Sequence, residues 1–302
     1  MGQTRPNTFG RRDLVSRWED LERSPAARLL AEKALLRLLV ALGDHDIPIV
    51  VLGGLVPEVL TRDQQPPAPQ HLGTTDVDVH LGLSLQIDAA QDLGALEGAL
   101  REASFSPDET TEGWRWVTRF EGPRVKIEFL CELDDQPEEA IVTPVGCDRL
   151  TAVNLRGTSY VTEDFVWEEL SSELADGTPV THRVRFAGLE GYLMSKIHVA
   201  WRRGLDKDYY DLVYTLLYNR LGGPAEAAEA LANGRFRDRI NLSSGPWPET
   251  RARFTSASDT GPQSYADQAR QADPSTDHAQ ARQDAVGAIA EFLDRLAGLT
   301  EG

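Results

Sequence analysis

Asp76 and Asp78, in the run Thr75-Asp76-Val77-Asp78-Val79-His80-Leu81, are the residues of this 302-residue chain best spaced to do chemistry. Acid alternates with aliphatic there, the period-two pattern of a strand, so both carboxylates leave the same face. Two carboxylates a pleat apart repel each other and lose hydration, and a cation held between them offsets that cost. Taken alone, the pair reads equally well as two acids on a solvent-facing strand. With 48 acidic residues in the chain such pairs arise by chance, and Asp134-Asp135 and Glu138-Glu139 are read as surface acids of that kind.

Upstream, Gly53-Gly54 follows the apolar run Ile47-Pro48-Ile49-Val50-Val51-Leu52. A diglycine between a buried strand and a helix lets backbone N–H groups approach an anion, with the helix N-terminus aimed at it. Together, glycines that cradle a triphosphate and carboxylates that hold its metal divide the labour of phosphoryl or nucleotidyl transfer. That chemistry wants a third carboxylate on a neighbouring strand. Glu128 is the one acid in Arg124-Val125-Lys126-Ile127-Glu128-Phe129-Leu130, although Arg124 and Lys126 share its face and a balanced exposed strand is the plainer account.

Lys196 lies within the apolar stripe of Tyr192, Leu193 and Ala200, where a lysine must snorkel, pair with an acid or face a ligand. Asp208 and Asp211 fall three apart at the head of the next helix. They read either as helix-dipole support with a Lys207–Asp211 pair or, for one of the two, as a buried partner of Lys196. His80 shares the face of Asp76 and Asp78 and reads as a surface histidine at the edge of the site. Trp114 and Trp116 share a strand face and read as packing residues.

The elements that must position these groups follow from periodicity and punctuation. Ser24-Pro25 opens a helix that stops at Gly43. Ile47–Leu52 reads as a buried strand, Val56–Leu60 as a short helix, and Asp63–Gly73 as a loop. Asp88–Ala103 looks helical. Trp114–Phe120 and Val125–Cys131 pair as a hairpin through Glu121–Arg124, and Val184–Phe186 is a last strand. From Leu189 the period becomes helical. The resulting division is an arm at 1–24, a core at 25–186 with an acidic insert at 132–176, and a helical subdomain at 187–240. A flexible Ser/Pro/Asp/Gln-rich linker at 241–278 and a C-terminal helix at 279–302 complete it. The fold class is α/β (α+β): a small mixed sheet flanked by helices, with a helical subdomain behind it.

Composition sets the outer limits. Cys131 and Cys147 are the only cysteines, too few for a disulfide scaffold or a cysteine zinc site. No apolar run is long enough to span a bilayer and no secretory leader is evident, so no membrane partner and a cytoplasmic setting are expected. The net charge of −17 argues against a protein that coats nucleic acid, but residues 132–176 carry 12 acids against two arginines, so a basic cleft can exist elsewhere. The six histidines have no metal-ligand spacing, and no P-loop, G-x-G-x-x-G or G-x-S-x-G motif is present.

The strand–Gly–Gly–helix element, TDVDVHL, KIEFL and MSKIHVAWRRGLDKDYYDL together resemble the AbiEii-type nucleotidyltransferases, a family that includes toxins of type IV toxin–antitoxin systems. The resemblance covers about residues 25–220, and its narrowing element is Lys196, Arg202 or Arg203, Lys207, Asp208 and Asp211. It implies transfer of a nucleotide from a nucleoside triphosphate with magnesium, onto tRNA ends in some members, and an antitoxin protein as partner. By that likeness Asp76, Asp78 and Glu128 hold the metal. Gly53, Gly54 and Lys196 hold the triphosphate, with Arg203, Asp208 and Asp211 in the same nucleotide-binding segment. The arginine that family members often carry just before the first aspartate is absent here, with His71 and Leu72 near its place. A nucleotide- or protein-binding module without catalysis, and an antibiotic-modifying nucleotidyltransferase with a small-molecule acceptor, are the alternatives.

Overall fold

A computed structural model describes residues 22–45, 47–64, 66–83, 92–119, 123–173 and 177–300. Helix α1 (Pro25–Leu42) starts where its sequence says it should. Ser24 caps it by accepting the Ala27 N–H at 3.1 Å, Pro25 sits in the first turn, and Gly43 ends it at φ +58°. Strand β1 (Ile49–Leu52) is buried along its whole length and runs through a single 3₁₀ turn, Gly53–Leu55, into α2 (Val56–Thr61).

Strand β2 (Asp76–Leu81) pairs antiparallel with β1, and β5 (Arg124–Cys131) lies parallel on its other side. Val77, Val79 and Leu81 turn into the core while Asp76 and Asp78 emerge on the other face, as the alternation dictates. Helix α3 (Gly94–Glu102) packs on α1; Asp92 and Leu93 lie before it rather than within the helix expected from Asp88, and residues 88–91 of that expectation lie outside the described residues. Strands β3 (Ser106–Pro107) and β4 (Arg115–Arg119) extend the sheet beyond β5. The 132–176 insert is woven into the same sheet through β6 (Ile141–Val142), β7 (Ala152–Asn154) and β8 (Phe165–Glu173), with the one-turn α4 (Tyr160–Glu163) between. Strand β9 (Pro179–Ala187) pairs parallel with β1 and antiparallel with β8, giving the order β3-β4-β5-β2-β1-β9-β8. The sheet is mixed, as the α/β expectation requires.

Six helices follow: α5 (Leu189–Arg203), α6 (Asp206–Tyr218), α7 (Pro224–Asn233), α8 (Pro246–Ala252), α9 (Thr260–Ala272) and α10 (His278–Thr300). The 241–278 segment is therefore not a flexible linker. Trp247, Phe254 and Tyr265 are buried, and α9 packs against both α6 and α10. Three anchoring aromatics supply enough buried area to order a segment of otherwise polar composition. The helical part has its own apolar cluster, which runs from Leu193 to Leu296 and takes in Leu72 from the loop before β2. The sheet and α1 share a second cluster. Among the described residues, no helix is long and apolar enough to cross a membrane.

Candidate functional site

The two clusters meet along a cleft of about 570 Å³ between the sheet and α5–α6. Leu52, Gly53 and Gly54 line it from the end of β1, Thr74 from the loop before β2 and Asp78 from β2 itself. Tyr192, Ser195, Lys196 and Val199 line it from α5, while Arg203, Lys207, Asp208 and Asp211 gather where α5 turns into α6. Gly204 makes that turn possible: it caps α5 in the left-handed region (φ +59°), which lets α6 double back so that Arg203 and Lys207 face the same cleft.

The diglycine gives the carboxylates room. A Cβ on Gly53, which also has φ +75°, would lie 1.8 Å from Asp78 Oδ2, and one on Gly54 would lie 2.6 Å from Thr74 Oγ1. Thr74 in turn donates to Asp76 Oδ1 at 2.6 Å. Lys207 Nζ approaches Asp76 Oδ2 at 3.4 Å, where a pair with Asp211 was expected instead. Burial works against the Asp76 charge, but Lys207 and the Thr74 hydroxyl overcome it and hold its pKa well below the usual carboxylate range. Asp78 gets less help, because Lys207 and Arg203 act on it but are outweighed. Burial, then Asp76, then Glu128 push its pKa up to about 7.

Glu128 stands beside Asp78 in the parallel register of β2 and β5. Its Oε1 is held by Arg115 of β4, through Nε at 2.8 Å and Nη2 at 2.7 Å. Among the described residues no three His, Cys, Asp or Glu side chains are gathered as a ready metal cage. Asp76 and Asp78 nonetheless fit a hard divalent cation in donor type. Asp78 stands in register with Glu128 and one pleat from Asp76, like charges that together with burial outweigh Lys207 and Arg203, and a cation between the pair would relieve that.

The other wall is built differently. Lys196 Nζ lies 3.1 Å from Asp208 Oδ1 and 2.9 Å from Asp211 Oδ2, all three side chains being buried, so the alternative of a buried partnership is the one observed. Burial would lower the lysine pKa, but Asp211 and Asp208 outweigh it and raise the value. Asp211 Oδ1 also receives Arg23 Nη2 at 2.7 Å and faces His71 Nε2 at 3.2 Å. Despite burial, Arg23 and then Lys196 hold Asp211 well below its ordinary pKa.

Arg23 lines the cleft from the start of the described chain. It donates from Nε to Gly73 O at 2.7 Å, hydrogen-bonds Gln268 of α9 and lies over the Tyr210 ring. Where the resemblance left a missing arginine near His71, Arg23 and His71 both sit on Asp211. Arg202 points elsewhere, to Glu138, whereas Arg203 Nε stands 3.7 Å from Asp208 Oδ2.

His80 corrects the sequence reading. It is buried, neither ring nitrogen has a partner, and burial pushes its pKa down to about 4, so it is not a surface histidine. Trp116 packs as expected, fully buried with its indole N–H on Gly113 O at 3.0 Å. Sequence reasoning missed Arg23, Thr74 and Lys207 as site residues. Thr74 adjoins the acidic strand and could have been flagged as a local side-chain cap, but the other two depend on long-range folding. No protein-family model matches the chain, and no curated protein matches it.

Proposed function

We propose that the cleft is the active site of a magnesium-dependent nucleotidyltransferase, which moves a nucleoside monophosphate from a nucleoside triphosphate to an acceptor hydroxyl. The observation that carries this reading is geometric: Asp76 and Asp78 leave one face of β2, Glu128 stands in register with Asp78, and Arg203 and Lys207 line the same cleft as Asp78. In this reading Asp76 and Asp78 hold the cation and Glu128 completes the set. A magnesium ion held there would supply positive charge that offsets the negative charge of the phosphates. Arg203 and Lys207 bind the triphosphate beside it, and the Gly53-Gly54 turn leaves its backbone open to a phosphate oxygen. Lys196, clasped by two aspartates, acts by fixing the α5–α6 wall against which the nucleotide is aligned.

The acceptor oxygen attacks the α-phosphorus, the α–β P–O bond breaks, and pyrophosphate leaves. The hydroxyl proton goes to Glu128, the carboxylate in register with Asp78. A tRNA end is the acceptor class the family resemblance suggests, together with a toxin-like role and an antitoxin partner.

Incubation with each labelled nucleoside triphosphate, magnesium and total tRNA, beside an Asp76→Ala/Asp78→Ala variant, tests the proposal. Label on RNA with wild type alone supports it, and label on neither RNA nor any protein or small-molecule acceptor counts against it. One observation favours a second reading. Arg115 grips Glu128 with two donors, which suits a nucleotide-binding module that has given up catalysis. Metal-dependent nucleotide binding without transfer would select that reading.

A further inference from the structure

We infer that Tyr192, Ser195 and Asp208 form a recognition corner for the vicinal hydroxyls of a ribose, an inference that rests on the nucleotidyltransferase reading. Tyr192 and Ser195 stand three residues apart on α5 and both line the cleft beside Lys196. Tyr192 is 1% exposed and Ser195 4%, yet neither hydroxyl has a hydrogen-bond partner. Asp208, also 1% exposed, gives Oδ1 to Lys196 at 3.1 Å. Its Oδ2 makes no hydrogen bond, with Arg203 Nε 3.7 Å away. Buried polar atoms without partners are uncommon because each forfeits its hydration, and two such hydroxyls beside a carboxylate oxygen with only a long ion pair to Arg203 mark where a ligand supplies the missing bonds.

The donor set selects the ligand. A carboxylate oxygen only accepts, whereas the two hydroxyls both donate and accept. A phosphate offers acceptors alone and would be repelled by Asp208. A vicinal diol donates to the carboxylate while accepting from the phenol and the serine. Leu130, Leu155 and Val199 add an apolar flank suited to the carbon face of a sugar. The diol can belong to the nucleoside triphosphate or to the terminal ribose of an RNA acceptor. The chemistry is shared, and the experiment separates the two.

The full-length protein with magnesium is titrated calorimetrically with the four ribonucleoside triphosphates and their 2′-deoxy and 3′-deoxy counterparts. It is also titrated with a short tRNA acceptor-stem RNA ending in a 2′,3′-diol or a 3′-deoxyribose. Tyr192→Phe and Ser195→Ala are measured alongside. Each removes one oxygen that has no partner, so both variants are expected to melt no lower than wild type. Loss of a ribose hydroxyl should weaken binding to wild type about tenfold, and that ratio should fall to roughly twofold or less in the variants. Discrimination seen with triphosphates places the nucleotide ribose in the corner, and discrimination seen only with RNA places the acceptor there. Nucleotide binding that is blind to the ribose hydroxyls in both series, or a ratio unchanged in the variants, overturns the corner while leaving the active-site reading in place. No nucleotide binding at all overturns both.

Discussion

The two walls of the cleft carry similar charges and treat them in opposite ways. On the α5–α6 wall, Asp208 and Asp211 meet Lys196, Arg23 and His71 at hydrogen-bond distance, and the network is nearly balanced. On the β2 wall, Lys207 partly satisfies Asp76, while at Asp78 burial and the like charges of Asp76 and Glu128 outweigh Lys207 and Arg203. A buried charge that the fold neutralises is there to hold the fold. One that the fold crowds and leaves uncompensated is a place where a ligand does the compensating. The difference teaches that the Lys196–Asp211–Arg23 network belongs to the scaffold, whereas Asp78, and on the other wall the Asp208 Oδ2 that accepts no hydrogen bond, are left for a ligand.

The comparison is easiest to break through Lys196. Lys196→Met removes the hydrogen-bonded cation of Asp208 and one of the two cations on Asp211, and should cost about 3 kcal/mol of stability, read by denaturant unfolding. A loss below about 1 kcal/mol would mean that this wall is not balanced by the lysine. Asp211→Asn keeps the shape but weakens contacts to Arg23, Lys196 and His71 together, and should cost about 2–3 kcal/mol by the same measurement.

Asp78→Asn should act in the other direction. A carboxylate whose folded pKa stands above its unfolded value loses stability for the protein as pH rises from about 4 through about 7, and asparagine has no such loss. The variant should therefore melt a few degrees above wild type at pH 8 and lose that advantage toward pH 5. By the same sign, any cation bound by ionised Asp78 should bind more tightly as pH rises through about 7, levelling off above it. Smallest of all is Lys207→Met. A half-buried pair at 3.4 Å should contribute less than about 1 kcal/mol to stability, while nucleotide affinity falls roughly tenfold.

Much of this was legible in the sequence where the signal is local. Ser24, Pro25 and Gly43 bound α1, and the alternation in TDVDVHL sets β2 with both aspartates on one face. Helical spacing on two consecutive helices leaves a Lys196 partnership with one of Asp208 and Asp211 as one of two readings, and the fold makes it with both. What escaped is long-range. Lys207 meets Asp76, 131 residues away, and Arg23 meets Asp211, 188 residues away. No periodicity encodes such pairings.

Arg115 on Glu128 lies between these cases. A hairpin register with Arg119 opposite Arg124 puts them directly across, so fixing the turn would have revealed the pair. The helices of 241–278 were hidden because composition averages over a window, while Trp247, Phe254 and Tyr265 act as single anchors. Phe254 packs so closely on Gly261 that a Cβ there would sit 2.4 Å from its ring, a fit that composition cannot express.

The most direct test of the central claim is calorimetric titration of the protein at pH 8 with nucleoside triphosphates, with and without magnesium, beside Asp78→Asn. The account predicts binding to wild type that depends on magnesium and is lost in a variant that remains folded. Binding that is indifferent to magnesium, or equally strong in Asp78→Asn, would contradict it.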